Sequence, residues 1–303
     1  MKIAVHILCY NVDRFLLHVI ANCHPYVDRI YLAWSPLSWG GESFQKENPT
    51  DIYKYNLIPR FPKCEIIEGV WHTETDMRNS CLDKARADGY DWLIIQDADE
   101  FYSDAGWILA LRALAIAPLS VNLVKTTMFN FWKHPSIIAL NRYGGYKTNN
   151  PGFALRITPE SCFVHMRGTI YADIAEAVLL DVPCYHYGWV LSDQEMKAKL
   201  STWGHANDLD TNLWFRIKWE RWNFATRNLN PLYPRAWSKA VLFPGEHQPF
   251  ALDIFESDFF LRENSLNNRL HLRVLAEQIF YDAKVHANDF RTQLSRFRHH
   301  ANL

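Results

Sequence analysis

Strand and helix signals alternate along the first hundred residues, and this alternation limits the fold more than any other feature of the sequence. The stretch FLLHVIANC has helical spacing, and Thr75 is a candidate N-cap for a later helix that ends at Gly89. Strands that alternate with helices build parallel sheets with right-handed crossovers, covered by helices on both faces. The sequence therefore predicts an α/β fold with a mixed, mainly parallel sheet. The four strand-like runs are KIAVHILC, VDRIYLAW, CEIIEGV and DWLII.

The pattern changes near residue 120, after a helix that Ser103 can cap and Pro118 can end. Three β-like runs follow, and the Gly- and Pro-containing joins between them favour antiparallel strands added to the sheet. From Ser192 the pattern becomes mainly helical. We therefore expect an α/β domain over residues 1–190 and a mainly helical C-terminal region over residues 191–303. The three β-like runs are VNLVKTTMFNFW, GFALRITP and VLLDVPCYHYGW.

Composition excludes several classes of partner and location. The 303 residues carry 32 basic and 33 acidic side chains, so a nucleic-acid partner is not expected. The six cysteines form no CxxC pair, which favours a reducing, cytoplasmic location. The N-terminal MKIAVHILCYN has no small-residue cleavage site and is typical of a first strand. The longest apolar stretch, WILALRALAIAPL, contains Arg112 and is shorter than the ~20 residues of a membrane span, so we expect a soluble protein.

Three carboxylates follow the fourth strand-like run within four positions: Asp97, Asp99 and Glu100. Ligands of open α/β sheets bind at the carboxyl ends of the strands, and residues two apart in an extended segment point the same way. Two ionised carboxylates a few ångströms apart repel by up to about 4 kcal/mol at an effective dielectric constant near 20. A divalent cation would relieve that repulsion, and oxygen ligands select Mg²⁺ or Mn²⁺. The alternative is an acidic loop that caps the next helix.

The segment RNSCLDKARADGYDWLIIQDADEF resembles part of the family 2 nucleotide-sugar glycosyltransferases, which have the GT-A fold. In that family an Arg-Asn helix and an apolar strand lead into a DxD motif. The N-terminal VHILCYNVDRFL is similar to the family's first strand, and CYHYGWVLSDQEMKAKL is similar to a His-containing strand and the helix after it. The resemblance covers roughly residues 1 to 200, with a weaker similarity in FPGEHQPF.

The resemblance implies a GT-A catalytic domain that moves a sugar from a UDP- or GDP-type donor to an acceptor hydroxyl, with inversion and with Mn²⁺ or Mg²⁺. It implies that Asp97 contacts the donor's ribose or sugar, and that Asp99, with Asp97, binds the metal that holds the diphosphate. His186 would be a further metal or diphosphate contact. A core histidine packed among aromatic neighbours is the equally weighted alternative for His186.

The resemblance also implies that Tyr10, Asn11 and Arg78 hold the nucleotide. The structural alternatives are a turn residue for Asn11 and a solvated helix charge for Arg78. This chain departs from the family after its second strand, where AWSPLSWGGES has no carboxylate before Glu42 to bind the base. Trp34 could stack on the base instead.

An inverting transferase needs a carboxylate that removes the proton of the acceptor hydroxyl. The candidates in this sequence are Asp173 first and Glu176 second, both in GTIYADIAEAVLLD. The alternative for both is an exposed acid on a helix or loop.

The acceptor is expected to be a glycan or a lipid-linked molecule, and aromatic side chains are the candidates for its contacts. Phe215, Trp219 and Trp222 share one helical face, where core packing is favoured over stacking on a sugar. The terminal RFRHH is a small basic patch that would place the protein at the membrane periphery if it contacts anionic lipid. A frayed, solvated end is the favoured alternative for that patch.

Other functions fit parts of the sequence. A phosphatase or related hydrolase with an Asp nucleophile also has DxD after an apolar strand, but there Thr or Val commonly lies two residues past the second Asp. A sugar-nucleotide pyrophosphorylase would have a Gly-rich loop after the first strand, and LCYNVDR has no Gly. A non-catalytic carbohydrate-binding protein is favoured by the 12 Trp, 14 Tyr and 18 Phe residues, and it would need no metal.

Overall fold

The computed structural model describes residues 1–39, 46–171, 177–202, 210–245, 254 and 275–284. Its N-terminal half contains four parallel strands in the order β3-β2-β1-β4, which confirms the predicted alternation. Three of the four strands are almost wholly buried, because helices cover both faces of a parallel sheet. The strands are β1 (Ile3–Cys9), β2 (Arg29–Trp34), β3 (Cys64–Glu68) and β4 (Trp92–Ile95).

Helices occupy the connections between these strands: α1 (Leu16–Cys23), a 3₁₀ turn (Ile52–Tyr55), α2 (Leu57–Arg60) and α3 (Glu74–Ala87). The predicted cap of α3 was wrong by two residues. The Thr73 hydroxyl, not that of Thr75, accepts the backbone N–H of Asp76 at 3.0 Å. Gly89 ends this region as predicted, with a φ of 72° that suits a residue without a Cβ.

The second half adds antiparallel strands, as predicted, and completes a mixed sheet. Strand β9 runs antiparallel to both β4 and β6, and β12 runs parallel to β6. Ser103 caps α4 as predicted, by accepting the N–H of Gly106 at 3.0 Å. The elements are β5 (Glu100–Phe101), α4 (Asp104–Ile116), β6 (Leu123–Trp132), β7 (His134–Leu140), β8 (Lys147–Asn149), β9 (Gly152–Arg156), β10 (Phe163–His165), β11 (Gly168–Thr169) and β12 (Ala177–His186).

The described part of the C-terminal region is partly helical. It contains α5 (Asp193–Thr202), α6 (Thr211–Trp214), a π-helical turn (Phe215–Glu220), a 3₁₀ turn (Pro234–Ala236), β13 (Lys239–Leu242) and a helix over 275–284. Strand β13 pairs with β7, so this region also extends the large sheet. The boundary at residue 190 stays a prediction. No helix among the described residues combines the length and apolarity that a membrane crossing requires.

Aromatic side chains form much of the core. The ring centroids of Trp132 and Trp219 lie 5.0 Å apart, and those of Trp189 and Trp237 lie 5.1 Å apart. The aromatic helical face predicted from the sequence belongs to the same buried cluster of tryptophans. The core-packing interpretation is therefore confirmed, and this face cannot stack on a sugar. Its three members, Phe215, Trp219 and Trp222, are all buried.

A partly buried arginine, Arg167, explains how an apolar strand can lead directly into acidic residues. Arg167 donates to the backbone carbonyl of Ile95 at 2.9 Å, at the last position of β4. Its guanidinium also contacts Oδ2 of Asp97 at 3.2 Å and forms a close ion pair with Glu100, whose side chain is 1% exposed. Arginine therefore supplies part of the relief that the sequence analysis assigned to a divalent cation.

Removing that arginine should destabilise the protein in a pH-dependent way. Burial raises the pKa of Glu100 to about 7 even though the charge of Arg167 opposes the shift. In Arg167→Met the folded-state pKa of Glu100 should move further above the unfolded value of about 4.3. Because a raised carboxyl pKa favours folding only while the group is protonated, stability should fall as pH rises. We expect a loss of about 3–5 kcal/mol at pH 8 and a smaller loss at pH 5, measured by urea unfolding.

Two further variants control this measurement. Glu100→Gln combined with Arg167→Met should recover most of the loss at pH 8, because the buried negative charge is gone. Arg112→Met removes an exposed arginine from α4 and should stay within about 0.5 kcal/mol of wild type. A loss in Arg167→Met that is independent of pH would contradict the assigned role of Glu100.

Candidate active site

A cleft of about 560 Å³ opens at the carboxyl ends of β1, β4 and β12. Strand β1 lies between β2 and β4. The chain runs from β1 to β2 on one side, and β4 pairs with β1 on the other side. Such a point, where the strand order reverses, is where ligands of open α/β sheets bind. The cleft brings together six predicted binding residues: Tyr10, Asn11, Arg78, Asp97, Asp99 and His186.

Asp97 is held by two arginines. Its Oδ1 lies 2.6 Å from Arg78 and its Oδ2 lies 3.2 Å from Arg167. Burial raises the pKa of Asp97, but the charges of Arg78 and Arg167 outweigh that effect and hold the pKa well below its usual range. Asp97 is therefore an ionised, fixed carboxylate. A metal ion at Asp97 would lie beside two guanidinium charges, so this geometry suits a cation less well than that of Asp99.

Arg78 lies at the floor of the cleft and is not the solvated helix charge that was its alternative. It projects from α3 with 2% of its side chain exposed. Besides Asp97 it contacts Oε1 of Glu74 at 2.8 Å and Nε2 of His6 at 2.9 Å. Burial and the charge of Arg78 lower the pKa of His6, which makes its imidazole a neutral acceptor. His6 was not among the predicted residues, because its only signal in the sequence is a histidine in the middle of a buried strand.

Asp99 and His186 meet at the opposite side of the same turn. Asp99 Oδ1 lies 3.6 Å from Nε2 of His186. The amide nitrogen of Asn130 donates to Thr148, so its Oδ1 accepts, and His186 Nδ1 donates to that oxygen at 2.5 Å. The proton of His186 is thereby placed on Nδ1, and the lone pair of Nε2 faces Asp99. Burial lowers the pKa of His186, although the charge of Asp99 opposes the shift, so the imidazole is neutral at neutral pH.

Gly188 keeps open the space where these groups converge. A Cβ at this position would lie 2.4 Å from Oδ2 of Asp99, 2.6 Å from Nε2 of His186 and 2.9 Å from Nζ of Lys199. Any other residue type would therefore fill this corner or displace its side chains. The glycine follows the His186 strand by two residues, a signal that the sequence analysis did not use.

The open corner beside Gly188 fits a divalent cation that is coordinated partly by the protein and partly by a substrate. A carboxylate oxygen and an imidazole nitrogen face each other there, and both are ligands of Mn²⁺. Within the described ranges, no three His, Cys, Asp or Glu side chains converge in a way that would hold a metal alone. Mg²⁺ and Mn²⁺ are commonly held by one or two protein ligands, with phosphate and water oxygens as the others.

Two basic side chains that the sequence analysis missed also line the cleft. Lys199 of α5 lies 3.7 Å from Oδ2 of Asp99 and donates to the carbonyl of Gly188 at 2.7 Å. Arg14 precedes α1 and pairs with Glu195 of α5 at 2.7 Å. These cations make the cleft suitable for an anionic ligand, because an incoming phosphate can replace their carboxylate partners.

The tryptophan beside Tyr10 in the cleft is Trp39, which was not among the predicted residues. Trp34 lies outside the set of lining side chains, because its indole N–H donates to the carbonyl of Thr50 at 2.8 Å and its ring packs on Tyr53. Trp39 lines the cleft and contacts the ring of Tyr10 with centroids 5.7 Å apart. A stacking role for Trp34 stays a prediction, and Trp39 with Tyr10 forms an aromatic wall that lines the cleft itself.

Asn11 has the backbone conformation of a tight turn. Its φ is 55°, a value that Asn tolerates better than most residues, and its N–H donates to Asn48 at 3.1 Å. This turn carries the end of β1 around the rim of the cleft.

Both base candidates, Asp173 and Glu176, lie outside the described residues, as does the terminal RFRHH, so these three stay predictions.

Sequence comparisons give no relative: no family model matches the chain, and no curated protein matches it significantly. Solved structures match parts of it. TarS 1-349 of S. aureus is 9% identical over 73% of this chain and 71% of its own, with a TM-score of 0.37. The mannosyltransferase PcManGT from Pyrobaculum calidifontis, in complex with GDP-Man and Mn²⁺, is 13% identical over 66% of this chain and 60% of its own, with a TM-score of 0.41.

A third match is glucosyl-3-phosphoglycerate synthase from Mycobacterium tuberculosis, in complex with Mn²⁺, UDP-glucose and phosphoglyceric acid. It is 16% identical over 42% of this chain and 44% of its own, with a TM-score of 0.30. Because all three TM-scores lie below 0.5 and the identities are low, these matches carry no argument about function. The α/β architecture itself stands on the strands and helices described above.

Proposed function

We propose that this protein is a metal-dependent glycosyltransferase that moves a sugar from a nucleoside-diphosphate sugar to an acceptor hydroxyl, with inversion. The observation that carries the proposal is the pair formed by Asp99 and His186 beside Gly188. Their ligand atoms face each other 3.6 Å apart at the strand ends, in a cleft that basic and aromatic side chains also line.

Asp99 and His186 would hold Mn²⁺ or Mg²⁺, and the diphosphate oxygens would complete its coordination. An ion held there would supply positive charge to offset the negative charge on the leaving diphosphate. Lys199 and Arg14 support the same charge by donating hydrogen bonds to phosphate oxygens. Both side chains already lie against carboxylates, at Asp99 and Glu195, so the diphosphate would enter a site arranged for negative groups.

Asp97 has a different role in this proposal. Arg78 and Arg167 keep it ionised, and 35% of its side chain remains exposed to the cleft. It can therefore accept hydrogen bonds from a ribose or sugar hydroxyl without moving. Tyr10 and Trp39 offer flat surfaces for the nucleobase.

The acceptor side of the reaction rests on the predicted residues. Asp173, or in second place Glu176, would remove the proton of the acceptor hydroxyl as it attacks the anomeric carbon. The acceptor is expected to be a glycan or a lipid-linked molecule.

The two alternatives fit the cleft less well. A phosphatase would use Asp97 as its nucleophile, but both oxygens of that carboxylate are held by arginines. A carbohydrate-binding protein would present its aromatic residues on the surface, whereas Trp132, Trp214 and Trp219 are fully buried in the core.

The first test of this proposal is nucleotide binding, measured by titration calorimetry with UDP and GDP. Wild type should bind one of them in the presence of Mn²⁺, and Asp99→Ala should weaken that binding about 100-fold, or about 2.7 kcal/mol, because a metal ligand is lost. Without metal the same variant should bind the nucleotide slightly more tightly than wild type, because a negative charge near the diphosphate is gone.

Asp83→Asn is the matched control, because Asp83 is a mostly exposed carboxylate on α3 whose partner is Arg86. It should bind as wild type does in both conditions. Binding of free glycans with no response to any nucleotide would favour the carbohydrate-binding alternative. Hydrolysis of a phosphate ester that is lost in Asp97→Ala would favour the phosphatase.

A second prediction tests the open corner itself. Gly188→Ala places a methyl group within 3 Å of both Asp99 and His186, so it should abolish Mn²⁺-dependent nucleotide binding. The melting temperature without metal should change little, because the corner opens into the cleft rather than into the core. Mn²⁺ binding can be followed by electron paramagnetic resonance of the free ion in the presence of nucleotide. Unchanged Mn²⁺ uptake in this variant would place the metal elsewhere.

A further inference from the structure

Helix α4 has a second apolar face that no described element covers. Trp107, Ala110 and Leu114 pack into the core, as expected for a helix that lies on a sheet. The opposite face is apolar as well, with Ile116 83% exposed and Leu109 55% exposed. Its members up to Ile116 recur at the spacing of one helical face, and Leu119 follows in the turn after the helix ends. We call this face the outer stripe: Ala105, Ile108, Leu109, Arg112, Ala115, Ile116 and Leu119.

The outer stripe is larger than the scattered apolar residues of an ordinary surface. Its four large members are between 44% and 87% exposed; three of them lie on one face of the helix, and Leu119 follows three residues after its end. Contiguous exposed patches of this kind mark contacts with a partner or a membrane. The helix is too short to span a bilayer, so a membrane contact would lie in the plane of the interface.

The charges around the outer stripe indicate which partner it fits. Arg112 is its middle member, is exposed, and has no carboxylate partner in the part of the chain that the structure describes. The single carboxylate of α4, Asp104, lies at the far N-terminal end and accepts a hydrogen bond from Tyr26 at 2.7 Å. At the other end Arg156 donates to the carbonyls of Ala117 and Pro118, at 3.1 and 2.9 Å. The stripe therefore combines apolar side chains with positive charge.

This charge pattern disfavours a second copy of the chain as the partner. In a two-fold symmetric dimer with fully overlapping stripes, the middle residue of each stripe faces its own copy. Arg112 would then meet Arg112, and the stripe has no carboxylate to compensate the repulsion. An anionic lipid surface has the opposite property, because its headgroups attract the guanidinium while the acyl region accepts the apolar side chains.

We propose that α4 docks the protein onto anionic lipid bilayers through the outer stripe. The helix lies flat in the interface, Ile116 and Leu119 enter the acyl region, and Arg112 extends to the phosphate headgroups. This contact is independent of the terminal basic patch and of the transferase activity. It would make the protein peripheral to a membrane through a folded element.

The test is cosedimentation of the full chain with vesicles at fixed salt. Wild type should bind vesicles of equal parts phosphatidylcholine and phosphatidylglycerol more tightly than vesicles of phosphatidylcholine alone. Ile116→Ser combined with Leu119→Ser should weaken binding to both vesicle types about 100-fold, at about tenfold for each side chain. Arg112→Glu should weaken binding to the anionic vesicles about thirtyfold and change binding to the neutral vesicles little.

Leu242→Ser is the matched control, because Leu242 is 65% exposed on the edge strand β13 and is not a member of the outer stripe. It should bind vesicles as wild type does, and all variants should keep the wild-type melting temperature. Absence of binding to the anionic vesicles, or an equal loss in Leu242→Ser, would overturn the proposal. A concentration-dependent dimer that is lost in the Ile116 and Leu119 variant, without vesicle binding, would assign the stripe to a second copy instead.

Discussion

The ion-pair cluster of Arg78 and Arg167 with Asp97 and Glu100 is the interaction on which the cleft depends. Strand β4 is buried along its whole length, and the turn after it would carry three negative charges into a region of low dielectric constant. The two arginines come from separate elements, Arg78 from α3 and Arg167 from the residue before β11, and they contact different oxygens of Asp97. These contacts hold the turn after β4 in place, and Asp99, the remaining acid of the turn, lines the cleft.

The cluster divides the acidic motif into two functional parts. Asp97 and Glu100 are neutralised by the protein and contribute rigidity, whereas Asp99 faces His186, Lys199 and the open corner at Gly188. Asp97 already has two arginine partners and therefore gains little from a cation. Asp99 lies beside a neutral imidazole and an open space, so it can bind a cation. The DxD pattern alone does not separate these roles, because the separation comes from residues far away in the sequence.

The same distance in sequence explains what could and could not be predicted. Periodicity and capping are local, so the strand–helix alternation, the Ser103 cap and the burial of Trp219 were predictable from neighbouring residues. Arg167 lies 70 residues from Asp97, and Lys199 is brought to Asp99 by a separate helix, so no local pattern indicates these contacts. Trp34 was predicted to stack on the base because no carboxylate follows β2 before Glu42, and the hydrogen bond from its indole N–H to the carbonyl of Thr50 has no local sequence signal either.

The Asp99–His186 pair depends on the register of the shortest strand in the sheet. Strand β5 has two residues, and its antiparallel pairing places Glu100 opposite His186, while β12 pairs in parallel with β6 and places His186 opposite Asn130. Because side chains alternate between the two faces of a strand, a shift of one residue in β12 would turn His186 away from Asp99 and from Asn130 together. Both faces of β12 near His186 are specified, since Tyr185 and Tyr187 pack against Phe131 on the other side. The aromatic core thus sets the register that orients the imidazole.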